Sequence, residues 1–223
     1  MLKLGIDDAG RGPVIGPMIL SGVLIDDKTE REFRRLGVKD SKQLTEKRRE
    51  FLADIIREKA ETFEVVIISP KEIDYNKSKG IKLNEVEAFA CAKIINKINK
   101  GYKEIRVILD CPSTSIINWQ DFLKTKIDNL SNLEIVCEHK ADKNHISVSA
   151  ASILAKSIRE KEMLKLKEKF GKEIGSGYTS DPLTSKFLKR NIKKYNKSGI
   201  FRKTWSTWKN ALGKHEQKIL SDF

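Results

Sequence analysis

Two adjacent carboxylates, Asp7 and Asp8, follow a short apolar run, Leu2 to Ile6, that predicts a first strand. A Gly-Arg-Gly turn at residues 10–12 comes directly after them. Because neighbouring like charges destabilise a fold unless a cation or a proton relieves them, the pair suggests a metal site. Aspartate and glycine are also common in turns, so a polar connection between two strands is the alternative reading of this stretch alone.

Two further aspartates follow predicted strands. The β-branched run Ile105–Leu109 predicts a strand that ends at Asp110, and Leu133–Cys137 predicts another that is followed by Asp142. Each acid alone is also typical of a turn or an exposed loop. Because catalytic groups in open α/β sheets collect beyond the carboxyl ends of the strands, we expect these acids and the first pair to converge.

The chemistry of such a cluster follows from its donor atoms. Carboxylate oxygens without histidine or cysteine suit Mg²⁺ or Mn²⁺ rather than zinc. Two such ions ~3.5–4 Å apart activate a water and stabilise the leaving oxygen when a phosphodiester is hydrolysed. The acids therefore favour a metal-dependent nuclease, with two ions during catalysis.

The charge balance points to a polyanionic partner. The 223 residues carry a formal net charge of +13, and 39% of them are hydrophobic, enough for a packed core. Between Thr179 and Lys218 there are eleven Lys or Arg residues against two acids, Asp181 and Glu216. A solvated helix face is the alternative, but this surplus is expected to track nucleic-acid phosphates without sequence preference.

The remaining composition argues for an ordinary intracellular chain. The three cysteines, Cys91, Cys111 and Cys137, match neither a disulfide framework nor a zinc motif, and we expect buried free thiols. The sequence shows neither a signal-peptide pattern nor an apolar run of membrane-spanning length. We therefore expect a cytoplasmic location, and nothing in the pattern requires more than a monomer.

The order of predicted elements indicates an α/β fold. After an opening hairpin, strands and helices alternate across residues 44–170, which predicts a mixed sheet with helices on both faces. Residues 71–82 are polar and contain a glycine, and they predict a loop. Only helices are predicted beyond Gly171. We therefore expect a catalytic domain at residues 1–171 and a basic helical extension at residues 172–223.

Four motifs stand out along the chain: Asp7-Asp8-Ala9-Gly10-Arg11-Gly12-Pro13, Asp40-Ser41-Lys42-Gln43-Leu44, Asp110-Cys111-Pro112, and Ala141-Asp142 with the run from Val148 to Lys156. Their order is typical of one known family, and on them the chain resembles ribonuclease HII of the archaeal kind. The resemblance covers nearly the whole sequence and implies a ribonuclease H-like fold, with a five-stranded mixed sheet and a helical C-terminal extension. It also implies metal-dependent cleavage of RNA in RNA–DNA hybrids, including a single ribonucleotide within duplex DNA.

The resemblance assigns roles to individual positions. The glycine-rich turn would sense the ribose 2′-hydroxyl, largely through its backbone, because glycine allows a close approach and this hydroxyl distinguishes RNA from DNA. Lys42 would hold a phosphate near the scissile bond, and Tyr178 would stack on the following sugar. The implied catalytic and metal-binding acids are Asp7, Asp8, Asp110 and Asp142. The implied substrate-binding residues are Gly10, Arg11, Gly12, Lys42 and Tyr178.

One position departs from the family pattern, which normally has Asp-Glu where this chain has Asp7-Asp8. Aspartate keeps the charge but is one methylene shorter, so its reach is reduced by roughly one C–C bond. Metal ligation remains available to it. We expect activity to be retained but lowered.

The last seven residues resemble a motif that docks on the replication sliding clamp, Gln-x-x-aliphatic-x-x-aromatic. Gln217, Leu220 and Phe223 occupy its three defined positions, and the second aromatic residue usually present is missing. The resemblance implies a clamp as a partner of this tail.

Two other functions are compatible with the same residues. The first is another nuclease of the ribonuclease H superfamily, such as a junction resolvase. The second is a nucleic-acid-binding protein with a degraded site, for which Asp8 is the only hint. The Gly-Arg-Gly turn and Tyr178 favour a ribonuclease, because only a ribose sensor needs them.

Overall fold

The computed structural model describes residues 1–39 and 44–221, with side chains as far as residue 213. Its centre is a five-stranded sheet of order β3-β2-β1-β4-β5. β1 pairs antiparallel with β2 and parallel with β4, and β4 pairs parallel with β5, so the predicted mixed α/β sheet is confirmed. The strands are β1 Leu2–Ala9, β2 Met18–Ile25, β3 Thr62–Ile68, β4 Ile105–Asp110 and β5 Leu133–Glu138.

The helices follow local capping chemistry. Thr45 is the N-cap of the helix that follows it, and its hydroxyl accepts a hydrogen bond from the Arg48 N–H at 3.3 Å. None of the helices in the described part of the chain combines the length and apolar character that crossing a membrane requires. The helices are α1 Asp27–Leu36, α2 Glu46–Lys59, α3 Pro70–Ser78, α4 Leu83–Ile98, α5 Ile116–Lys124, α6 Ala141–Asn144, α7 Ile146–Phe170, α8 Pro182–Asn191 and α9 Ser206–Ser221, with a short 3₁₀ helix at Lys172–Ile174.

The prediction of a loop at residues 71–82 was wrong, because helix α3 occupies most of it. Ser69 caps this helix by accepting a hydrogen bond from the Glu72 N–H at 3.2 Å, and Pro70 takes the first helical position. A Ser-x-x-Glu pattern with proline after the serine is an N-terminal helix pattern. The polar composition reflects a largely exposed helix, in which Ile73 is buried.

Helices cover both faces of the sheet, as predicted. A Cβ atom placed on Gly5 of β1 would lie 2.1 Å from the backbone carbon of Ser147, so the start of α7 packs directly on that strand. A Cβ atom on Gly22 of β2 would lie 2.3 Å from Cγ2 of Ile94 in α4. Gly5 pairs with Val23, the neighbour of Gly22, and side chains alternate along a strand. The two helices therefore lie on opposite faces.

The chain forms two compact units that are interleaved in sequence. Unit 1 comprises residues 1–9, 19–66 and 82–158, and it contains the main sheet and its core. The three cysteines lie in unit 1 and are buried and free, as expected.

Unit 2 comprises residues 10–18, 67–81 and 159–223. Its core joins Val14 and Ile15 to apolar side chains from the C-terminal helices. The boundary that the sequence suggested at residue 171 differs from this division, because the early segment 10–18 packs with residues that follow it by more than a hundred positions. The other core members are Met163, Ile174, Phe187, Leu188, Ile192, Ile200, Phe201 and Trp208.

Candidate active site

Strand register brings two of the predicted acids side by side in unit 1. Ile6 of β1 pairs with Leu109 of the parallel strand β4, so Asp7 and Asp110 each follow at the same level. Side-chain alternation then places both on the face covered by α7. Asp8 lies within the same strand, because β1 continues to residue 9, and its side chain leaves from the face covered by α4.

One polar face of α7 orients these acids. Ser149, Ser152 and Lys156 are three and four residues apart and therefore lie on the same side of the helix. The Ser152 hydroxyl hydrogen-bonds the Asp7 carboxylate and accepts from Lys156 Nζ at 3.1 Å. The Ser149 hydroxyl donates to the backbone carbonyl of Asp142. Helix α7 thus contacts the Asp7 carboxylate and the backbone of Asp142.

The segment that carries Asp142 is held by a hydrogen bond to Asp110. Oδ1 of Asp110 accepts a hydrogen bond from the Ala141 N–H at 3.0 Å. The chain leaves β5 through Lys140, whose φ of 60° makes a left-handed turn into the short helix α6. Asp142 lies in the first turn of that helix with 4% of its surface exposed. Asp110 therefore organises the segment that carries Asp142.

The electrostatics of the site centre on Asp7. Enclosure by protein atoms, followed by the charges of Asp8 and Asp110, raises the pKa of Asp7 from 3.8 to about 8, although a part of the residue stays accessible to solvent. Hydrogen bonds from Ser152 and from the Asp8 N–H oppose this rise. Three of the predicted acids therefore form one electrostatic cluster, in which a negative charge on Asp7 is disfavoured.

The donor set suits a hard cation. It consists of carboxylate oxygens, and a bound cation would relieve the crowding of negative charge that raises the Asp7 pKa. Within residues 1–39 and 44–213, however, no group of three or more His, Cys, Asp or Glu side chains already has the arrangement of a metal centre. The residues thus fit a divalent metal in chemistry and charge, and the ligand geometry is not preformed.

The predicted ribose-sensing residues lie in unit 2. Gly10 has a φ of +81°, and a Cβ atom there would lie 2.3 Å from Arg159 Nε, so this position accepts no side chain. A Cβ atom on Gly12 would lie 3.7 Å from Cε1 of Tyr178. The Arg159 guanidinium stands 4.9 Å from the centre of the Tyr178 ring. The structure thus brings the predicted turn and the predicted tyrosine together.

Some predicted positions cannot be compared with the structure. Lys42, with the rest of its motif at residues 40–43, lies outside the described residues, as does Phe223. The backbone of Gln217 and Leu220 belongs to α9, and their side chains are outside the described part.

Sequence reasoning missed the roles of three residues, Ser152 and Lys156 in unit 1 and Arg202 in unit 2. The spacing of Ser149, Ser152 and Lys156 in an otherwise apolar stretch was a usable sign of one polar helix face. Arg202 gave no such sign, because it belongs to a segment rich in basic residues and reads as one more solvated charge. Its buried position follows from contacts with residues near the other end of the chain.

The fold and the acids together define a nuclease of the ribonuclease H type. The features that indicate this class are a mixed five-stranded sheet and the carboxylates at the ends of its central strands. The family model described as Ribonuclease HII matches residues 4–208. The chain belongs to the ribonuclease HII family.

Individual relatives agree with this assignment along nearly the whole chain. A ribonuclease HII of Methanococcus maripaludis is 43% identical over 215 residues, covering 96% of this chain and 87% of the relative. The crystal structure of ribonuclease H2 from Pyrococcus horikoshii superposes with a TM-score of 0.84 at 37% identity, covering 95% and 97% of the two chains. Ribonuclease HII from Archaeoglobus fulgidus, solved in a complex with PCNA, gives 0.81 at 39% identity and covers 92% and 96%.

The raised pKa of Asp7 predicts that Asp7→Asn stabilises the fold when divalent metals are chelated. Between about pH 4 and pH 8 the folded chain keeps a proton that the unfolded chain has lost, so wild-type stability falls as the pH rises through this window. We expect the variant to exceed the wild type by about 1–3 kcal/mol above pH ~8, and by little below pH ~4. Urea unfolding at several pH values measures the difference.

Asp128→Asn is the matched control, because Asp128 is exposed and its substitution should change stability little at either pH. An advantage of Asp7→Asn that stays constant with pH would contradict the proposed enclosure of this carboxylate.

Proposed function

We propose that this protein is a metal-dependent endoribonuclease that hydrolyses the RNA strand of RNA–DNA hybrids. We further propose that it cuts on the 5′ side of single ribonucleotides embedded in duplex DNA, leaving 3′-hydroxyl and 5′-phosphate ends. The observation that carries the proposal is the enclosed charge cluster of Asp7, Asp8 and Asp110 in a chain of the ribonuclease HII family.

In this proposal the acids supply the oxygen donors for Mg²⁺ or Mn²⁺. Asp7 and Asp110 offer their carboxylates from one face of the sheet, Asp8 from the strand end beside them, and Asp142 from α6. Ser152 and Lys156 hold the Asp7 carboxylate in one orientation, as outer partners of ligating groups commonly do. When bound, two divalent ions activate the attacking water and stabilise the leaving oxygen of the displacement.

The substrate is selected by residues that follow the acids directly in sequence. Gly10, Arg11 and Gly12 are proposed to test for the ribose 2′-hydroxyl through backbone groups, with the Tyr178 ring beside Gly12 stacking on the next sugar. Tyr178 is 37% exposed, so its ring remains accessible to a ligand. Lys42 is proposed to hold a phosphate. The basic residues of α8 and the segment after it are proposed to contact further phosphates, as their charge surplus suggests.

The C-terminal tail is proposed to bind the replication sliding clamp through Gln217, Leu220 and Phe223. The spacing of these residues supports the proposal, as does the PCNA complex of the Archaeoglobus fulgidus relative. A terminal segment suits such a role, because chain ends bind partners without disturbing the folded core.

The function is tested with a DNA duplex that carries one ribonucleotide, with Mg²⁺ or Mn²⁺ present. We expect a cut 5′ of the ribose, and we expect Asp110→Asn to lower kcat by more than the ~10–100-fold typical of losing an outer partner of a metal ligand. Asp128→Asn serves as the control and should cut like the wild type. Cleavage of branched DNA alone would indicate a junction resolvase, and binding without cleavage would indicate a degraded site.

Restoring the longer acid at position 8 is expected to raise activity. Asp8 leaves the strand from the face opposite Asp7, so the methylene added by Asp8→Glu would let its carboxylate reach further around the strand end. We expect kcat on the single-ribonucleotide duplex to rise several-fold and KM to stay unchanged. Asp8→Asn, which removes the charge at constant length, should lose activity. A variant with glutamate at position 8 that turned over no faster than the wild type would refute the idea.

Removal of residues 217–223 should abolish capture by an archaeal sliding clamp while cleavage of a short duplex persists. Phe223→Ala should act like the deletion, because it removes the aromatic anchor. Lys218→Ala changes a position that the motif leaves undefined, and it should bind normally. Equal capture of the full and shortened chains would exclude the tail as the docking segment.

A further inference from the structure

A buried arginine lies against the Gly-Arg-Gly turn within unit 2. Arg202 has 0% of its surface exposed, and its guanidinium donates to three carbonyl oxygens of the same loop. Nη1 donates to Arg11 O at 2.6 Å, and Nη2 donates to Gly10 O at 2.6 Å. Nη2 and Nε also donate to Gly16 O, at 3.0 and 3.1 Å. One side chain therefore binds both ends of the segment from Gly10 to Gly16.

These bonds fix the direction of two amide groups. In a trans peptide the C=O and N–H bonds point in opposite directions, and the described chain contains no cis peptide. Because the carbonyls of Gly10 and Arg11 point at Arg202, the N–H groups of Arg11 and Gly12 point away from it. Two successive amide donors are thus aimed at the side of the turn opposite the guanidinium, and the Tyr178 ring flanks Gly12.

The segment that carries Arg202 is itself held in place. Trp205 Nε1 donates to Gly12 O at 3.2 Å, and its ring lies 5.1 Å from the Arg202 guanidinium carbon. The two carboxylate oxygens of Asp74 in α3 accept hydrogen bonds from the two residues that follow Arg202, at 2.8 Å from Lys203 N and 3.0 Å from Thr204 N. The guanidinium therefore has little freedom to follow a movement of the turn.

Burying a cation costs stability unless its hydrogen bonds are satisfied. Here the bonds are satisfied by the turn, so the charge specifies the shape of that loop. A planar guanidinium presents its donors in a rigid fork and so fixes the arrangement of the carbonyls, whereas the three donors of a lysine ammonium rotate on a flexible stem.

We propose that Arg202 is a positioning residue for sugar selection, a role that rests on the proposed function. By holding the carbonyls of Gly10 and Arg11, it aims the N–H groups of Arg11 and Gly12 at the oxygen of a ribose 2′-hydroxyl. A deoxyribose offers no oxygen there, and a site built to bind a hydroxyl rejects a ligand that lacks it. The arginine acts through the turn and need not touch the substrate.

The test compares Arg202→Lys with Trp205→Phe, which keeps the aromatic ring and removes one donor to the turn. Kinetics on the single-ribonucleotide duplex are read beside the inhibition constant of an all-DNA duplex of the same sequence. We expect Arg202→Lys to lower kcat/KM by up to ~100-fold, as expected when reacting groups are misplaced by about 1 Å, and Trp205→Phe to lower it less. The inhibition constant should stay unchanged, because phosphate contacts are retained. Arg31→Lys, on an exposed part of α1 to which no role in binding is assigned, is the control.

A readout without cleavage separates this inference from the proposed function. In the presence of a chelator, the NMR amide signals of Arg11 and Gly12 should shift when the single-ribonucleotide duplex binds. They should not shift when the all-DNA duplex binds. Arg202→Lys should abolish this difference between the two duplexes. A wild type that cuts no ribose would overturn the proposed function. If the wild type cuts and Trp205→Phe has the same kcat/KM as the wild type, the hydrogen bond from Trp205 to the turn has no role in sugar selection. Parallel weakening of both duplexes in Arg202→Lys would mark a merely structural residue.

Discussion

Enclosed negative charge at the C-terminal end of β1 is the constraint on which the site depends. Asp7 is largely enclosed by protein atoms and lies beside Asp8 and Asp110, an arrangement that raises its pKa to about 8. Globular domains have only ~5–15 kcal/mol of net stability, so the surrounding structure has to tolerate this crowding. It does so through the tight packing of α7 at Gly5 and through the hydrogen bond from Ser152. A negative charge on Asp7 is thus a local source of instability in the fold.

Much of the architecture could be predicted, because it follows from short-range patterns. β-branched runs marked the strands, and the positions of Asp110 and Asp142 after two of them indicated where acids would gather. The sequence analysis did not predict that the side chains of Asp7 and Asp8 leave from opposite faces of the sheet, because both residues were placed beyond the end of the strand. β1 in fact includes them, and consecutive residues of a strand face opposite sides. The error concerned the end of strand β1, and its consequence was the direction of the Asp8 side chain.

The parts that could not be predicted depend on contacts between distant residues. A polar stretch such as residues 71–82 shows no apolar periodicity, and only its capping residues reveal α3. That helix supplies Asp74, whose carboxylate holds the segment beginning at Arg202. Buried and solvated arginines look alike in a basic sequence, and what distinguishes Arg202 is a set of carbonyls almost two hundred residues away. Local patterns do not contain that information.

The interleaving of unit 2 has a consequence for the order in which the protein is assembled. Gly10 and Arg202 are 192 residues apart, and Ile15 pairs with Phe201 in an isolated bridge. A chain emerging from the ribosome completes all four acids by Asp142 while the Gly-Arg-Gly turn still lacks its support. Closing so long a loop is slow compared with local folding, so this turn is among the last parts to become ordered. The four acids of the nascent chain are therefore synthesised before the Gly-Arg-Gly turn gains its contacts with Arg202.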